Sequence, residues 1–281
     1  PQFLTMLKFL RQEHRYRFIC SGSLLGIALK KTVSVPVGSI IPRKMYQLDF
    51  EEFLIANDFG EDAIAYLRKS FEQKQPLTSE VHDKVLSLFK RYLLVGGMPD
   101  AVNEYLNTHN ILKVREVQET IRELYGVDAS RYEEDAAKKL YIRRIYDMIP
   151  SQMEKKKKRI VAKDILDRKG DRFSNYMEEF EYLVNSGITI ASHAISNPKY
   201  PLAESQQKNL LKLYMNDVGM LSSQLYHYNI QPILNDIASI NLGSVYESAV
   251  AQELKAHYGK LFYYDNKQKG EVDFLVDDSS T

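Results

Sequence analysis

Between about residues 58 and 149, apolar residues recur at spacings of three and four. The five segments that carry them, DAIAYLRKSFEQ, SEVHDKVLSLFKRYLLVGG, DAVNEYLNTHNI, ILKVREVQETIRELYGV and EDAAKKLYIRRIYDMI, are predicted as amphipathic helices. Before this block the pattern alternates. FLTMLKFLRQEH reads as helix, YRFICSG as strand, SLLGIALKK as helix, KMYQLDF as strand, and EEFLIAND opens another helix, an order that points to a parallel α/β layer over residues 1–57. After the helical block, at 150–216, FSNYMEEFEYLVNSG is a helix stopped at Gly187, and ITIASHAI and NLLKLYMND are strands joined by the turn SNPKYPLAESQQ. A helix followed by a hairpin with a long tip has the shape of a winged helix. The last block, 217–281, adds a helix through SVYESAVAQELKAHYG and the strands KLFYYDN and EVDFLV.

Composition narrows the class of protein. At 281 residues and 44% hydrophobic, the chain has enough apolar surface for buried cores. No apolar run reaches the roughly 18 to 20 residues that a bilayer demands, so no membrane segment is predicted and a cytoplasmic location is the expectation. The single cysteine, Cys20, can make no disulfide within the chain and reads as a small buried hydrophobe in a strand. Net charge is only +1, yet from Lys138 to Asn175 thirteen Lys and Arg face five acids. Clustered cations gain by displacing counterions from phosphates, so Lys155, Lys156, Lys157, Lys158, Arg159, Lys163, Arg168, Lys169 and Arg172 are candidate nucleic-acid contacts. The competing reading is a solvated loop, with the winged helix used for a protein partner or for self-association. The winged helix itself presents Glu178, Glu179 and Glu181, which phosphates would repel, so insertion of this helix into a groove is not expected.

Few residue patterns carry chemistry. Asp49, Glu51 and Glu52 at the start of EEFLIAND are favourable charges for a helix N-terminus. Gly96, Gly97 and Pro99 in YLLVGGMPDAV end one helix and start the next, either as punctuation or as a hinge. The six histidines are scattered and match no metal-binding motif. Glu271 and Asp273 lie two apart on a strand, a placement that holds metals in phosphodiester chemistry and that equally describes a polar strand face.

The segments FICSGSLLGIAL, MYQLDFEEFL, YLLVGGMPDAV, IPSQM, LYMNDVGMLSSQL and GSVYESAVAQEL with GEVDF resemble, in this order, the later part of a bacterial and archaeal family of AAA-type P-loop ATPases with a C-terminal restriction-endonuclease-like domain of unknown function. The resemblance implies a fold that is α/β plus mainly α. Its expected parts are the end of an ATPase α/β core at 1–57, a helical domain at 58–149, a winged helix at 150–216 and a truncated endonuclease-like domain at 217–281. ATP and magnesium are the cofactors implied for the parent protein. The pattern G-x-x-x-x-G-K-[ST] occurs nowhere in the 281 residues, so the chain is expected to be a fragment that binds neither tightly and turns over no ATP.

The resemblance also assigns candidate sites. Ser21 or Ser23 would sense a γ-phosphate, although Ser23 is equally placed as a helix N-cap. Glu247 takes the helical carboxylate position of an endonuclease-like metal site and Asp273 the strand position, while the Glu-x-Lys that would complete it is missing. Three functions follow as expectations: a piece of a nucleotide-dependent switch acting with nucleic acid or a protein, a nuclease-derived DNA-binding protein, or an interaction module independent of nucleotide.

Overall fold

A computed structural model describes residues 6–7, 9–10, 12, 16–22, 38, 41–128, 133–156, 158–166, 172–235 and 242–278. Residues 6, 7, 9, 10 and 12 are helical, and the helices with described bounds are α1 (Phe50–Ala56), α2 (Glu61–Glu72), α3 (Ser79–Val95), α4 (Pro99–Thr108), α5 (Ile111–Asp128), α6 (Ala136–Met153), the short α7 (Lys163–Leu166), α8 (Met177–Ser186), α9 (Val218–Tyr226), the short α10 (Gln231–Leu234) and α11 (Gly243–Tyr258). The strands are β1 (Thr189–Ile195), β2 (Gln206–Met215), β3 (Leu261–Asn266) and β4 (Gly270–Leu275). The protein is therefore α plus β.

Local chemistry sets several of these boundaries. Asp49 caps α1 by accepting from the Glu52 N–H, and the Glu52 carboxylate accepts from the Asp49 N–H in return, so the two satisfy a pair of donors that the helix leaves open. Pro99 opens α4, where its missing N–H costs nothing. Gly187 closes α8 in the left-handed conformation.

The four strands form one mixed sheet in the order β2-β1-β3-β4. β1 and β2 run antiparallel, with Thr189 opposite Met215 and Ser192 opposite Lys212. The other edge of β1 pairs in parallel with β3, Ser192 against Leu261, and β4 returns antiparallel with Val272 opposite Tyr264. The hairpin expected to form a wing thus shares one sheet with β3 and β4, which come from beyond the expected boundary between 216 and 217. The main apolar core runs from Phe53 through Tyr92, Ile145, Leu183 and Tyr214 to Leu261, while Ile64 of α2 packs with Leu54, Phe59 and Leu88 in a smaller cluster.

The crossing of α3, α4 and α9 is the most tightly built part of that core. The carboxylate of Asp217, fully buried, accepts from the Gly97 N–H at 2.7 Å and from the Met220 N–H at 3.0 Å. Leu48 donates its N–H to the Gly97 carbonyl at 2.9 Å. Gly96 has φ of +74°, and a Cβ there would collide with the Asp217 carboxylate, while a Cβ on Gly97 would collide with the Leu48 carbonyl. The glycine pair is therefore a close crossing of backbones. Arg115, 2% exposed, donates to the carbonyls of Leu94, Gly219 and His227 beside it.

Several expectations need correction. The YRFICSG segment is described over 16–22 and contains no strand; Ile19 is 97% exposed and Cys20 is exposed rather than buried. KMYQLDF has no regular structure up to Asp49 and pairs with no strand. Alternation of apolar residues marks an extended segment, and without a neighbouring ladder it does not make a sheet. No parallel α/β layer appears among the described residues of 1–57, and the expected helix SLLGIALKK lies outside them. On α8, Glu179 is 4% exposed rather than on an acidic outer face, and burial pushes its carboxyl above the usual range. On α11, Val245, Ala249 and Gln252 share the inner face at spacings of four and three, and Val250 on another face is 45% exposed.

Candidate functional site

The sheet and α11 gather charge at one place. Lys212 stands on β2 within the run NLLKLYMN, where Leu211, Leu213 and Met215 alternate inward on one side and Lys212 and Tyr214 point to the other. Its side chain is 3% exposed and crosses the Tyr263 ring of β3, with Nζ 5.0 Å from the ring centroid. Nζ donates to Glu247 of α11 at 3.2 Å, to Asp273 of β4 at 3.0 Å and to Glu271 of β4 at 3.5 Å. Glu247 and Asp273 therefore reach the same ammonium, and their carboxylates can be no further apart than those two distances laid end to end.

Glu247 is nearly buried and fully engaged. Its Oε1 accepts from Lys212 and from the Tyr214 hydroxyl at 2.7 Å, and its Oε2 accepts from Lys158. Lys158 belongs to the basic loop that follows α6. Arg159, next to it, pairs with Asp265 of β3 and places its guanidinium 5.5 Å from the Tyr263 ring. The loop is thereby drawn onto the face where α11 meets the sheet.

Electrostatics follow from this packing. Burial pulls the Lys212 ammonium down, but Glu247 and Asp273 outweigh it and the net direction is upward. Burial raises the Tyr214 phenol well above its ordinary value, and the adjacent Glu247 adds to the effect. The centre sets the side chains of Lys158 and Lys212 against those of Glu247, Glu271 and Asp273, of which Glu271 and Asp273 are about half exposed.

The sequence-derived candidates distribute as follows. Glu247 and Asp273 come together, joined through a lysine that the sequence reading missed. Lys155 pairs with Asp164 at 2.8 Å, Lys158 with Glu247 and Arg159 with Asp265, while Lys156 and Arg172 are exposed. Lys157, Arg168, Lys169 and the side chain of Lys163 lie outside the described residues. Ser21 is exposed in a segment without regular structure, and Ser23 lies outside the described residues. The signal that could have found Lys212 is its position: a lysine between Leu211 and Leu213, in the half of the strand, Leu210–Met215, that is otherwise apolar.

The endonuclease-like reading calls for a divalent ion between Glu247 and Asp273, and the donors present do not fit one. Both oxygens of Glu247 already accept hydrogen bonds, and the ammonium of Lys212 occupies the point that both carboxylates share.

Comparison with known families gives two matches. The family described as "Domain of unknown function (DUF8612)" matches residues 86–228, just over half of the chain. The chain belongs to the DUF8612 family. That match covers the glycine crossing, Arg115, the basic loop, Lys212 and Asp217. Residues 242–281, which carry Glu247, Glu271 and Asp273, match "Domain of unknown function (DUF4143)", a domain found in AAA-ATPase-associated proteins. The ion-paired centre thus takes its lysines from the DUF8612 region and its acids from the DUF4143 region. No curated protein and no solved structure matches the chain. Among the described residues, no helix is long and apolar enough to cross a membrane.

Proposed function

We propose that this chain is the output part of an AAA-type ATPase-associated protein, in which the phosphate-binding loop is supplied outside these 281 residues. Its endonuclease-like centre acts as an ion-paired strut and not as a nuclease. The observation that carries this reading is the Lys212 ammonium, 3.0 to 3.5 Å from three carboxylates, with Lys158 on the remaining oxygen of Glu247. In an endonuclease-like site a divalent ion would neutralise the charge building on phosphate. Here two lysines pair with the acids instead, and they fasten α11 to β2, β4 and the basic loop.

Such a strut suits a module that passes a movement between a nucleotide-binding core and a partner, because it ties distant parts of the chain into one body. The commitment of Lys155, Lys158 and Arg159 to internal acids favours a protein partner over nucleic acid. The test is incubation of the chain with supercoiled plasmid in magnesium and then in manganese. Intact plasmid is the expected result; nicking that disappears in Asp273→Asn would overturn the reading. Micromolar binding of ATP by calorimetry would contradict the assignment of nucleotide binding to another segment.

A further inference from the structure

A second group of side chains, at the other end of α11, has the makings of a metal site. Glu253 and His257 stand four residues apart on that helix, so their side chains lie one above the other on one face. Asp49, at the start of α1, comes up against them from more than 200 residues away. Each of the three offers one ligand atom, and all three atoms lie within 4.8 Å of one another.

We propose that Asp49, Glu253 and His257 bind a divalent ion of the zinc class, which clamps the start of α1 to the C-terminal half of α11. The hydrogen bonding already divides the carboxylate oxygens between structural and free roles. Asp49 Oδ1 is used in capping α1, which leaves Oδ2 facing His257 Nε2 at 3.6 Å. Glu253 Oε1 accepts from the Phe50 N–H at 2.9 Å and from the Tyr92 hydroxyl at 3.2 Å, which leaves Oε2. Those bonds fix the two carboxylates in place while the third ligand remains adjustable, because the His257 side chain is 60% exposed.

The distances suit an ion better than direct contact. At 3.6 Å the imidazole and the aspartate are too far apart for a good hydrogen bond. Ligands about 2.1 Å from a tetrahedral zinc stand roughly 3.4 Å from one another, so closing on an ion requires a movement of at most about 1.4 Å, within reach of the exposed imidazole. The donor set, one imidazole nitrogen and two carboxylate oxygens, suits zinc, with water in the fourth position. Three ligands drawn from two elements make this a clamp on the segment that leads into α1. It is independent of the lysine strut, since Glu247 lies at the other end of α11.

The experiment is calorimetric titration of zinc into the full 281-residue chain carrying Cys20→Ser, which removes the exposed thiol as a competing ligand. One equivalent should bind in the micromolar range and raise the melting temperature. His257→Ala and Glu253→Gln should each weaken binding at least about tenfold, and His82→Ala, at an exposed histidine on α3, should leave it unchanged. His257→Ala should melt without metal close to the parent chain, because its side chain is mostly exposed. Equal zinc affinity in His257→Ala and the parent, or no saturable binding in the parent, would overturn the proposal.

Discussion

Replacing Lys212 by methionine tests the strut most sharply. The substitution keeps an unbranched apolar side chain out to Cε while deleting the ammonium and its place over the Tyr263 ring. Three carboxylates lose a partner, but not equally. Glu271 and Asp273 are 53% and 55% exposed, and water can take over there, so each contributes at the low end of a surface pair, about 0.5 kcal/mol. Glu247 is 8% exposed and keeps only Lys158 and Tyr214. Leaving a buried charge short of its partner typically costs about 3 to 5 kcal/mol, and the two donors that remain bring the expected loss to about 3 kcal/mol. Urea unfolding at pH 7, followed by circular dichroism, measures it. A second substitution sharpens the logic: Glu247→Leu on the Lys212→Met background should recover part of the loss, because exchanging a whole buried pair for apolar groups is often neutral. A single mutant within about 0.5 kcal/mol of the parent, or a double mutant that simply adds the two losses, would refute the argument. Because the Lys212 pKa is raised by folding, its contribution is complete below about pH 10 and fades as pH rises through the folded value.

Gly97→Ala places a methyl against the Leu48 carbonyl and should cost about 2 kcal/mol or more, read as a lower urea midpoint; an unchanged midpoint would restore the hinge reading of the glycine pair. Burial lifts the Asp217 carboxyl from 3.8 to about 6, so the folded state holds its proton longer than the unfolded chain and stability falls by about 3 kcal/mol as pH rises from about 4 to about 6. Asp217→Asn should flatten that segment of the stability profile, and a slope equal to the parent's would show that another group sets it. Lys158→Ala should lower the melting temperature while Lys156→Ala should not, because only Lys158 is docked on a nearly buried glutamate; equal effects would return the whole loop to solvent.

The helices were the legible part of this fold. From α2 to α6 the spacing of apolar residues, with Pro99 as a start signal, gave the elements close to where they stand, because a helix satisfies its own backbone and its pattern is local. Strands depend on partners that the local pattern does not name. YRFICSG and LFYYDN look alike in sequence, yet only the second has neighbours to pair with. The candidate site divides in the same way. Glu247 and Asp273 were found as residue types in the right order, whereas Lys212 comes from a strand 35 residues before Glu247, and its role exists only because β2 and β4 flank the same short sheet. Nothing local marks His257, because Asp49, which faces it, is distant in sequence, although Glu253 at four residues' spacing is visible on the helix.

The central claim is that lysines hold the place where a nuclease would hold a metal. Manganese added to the nitrogen-15-labelled chain tests it directly, since the paramagnetic ion broadens amide signals near wherever it sits. The account predicts that the β4 amides from Glu271 to Phe274 stay sharp in the parent chain and broaden in Lys212→Met, where three carboxylates face one another without their ammonium. Broadening of β4 in the parent at less than one equivalent of manganese would contradict it.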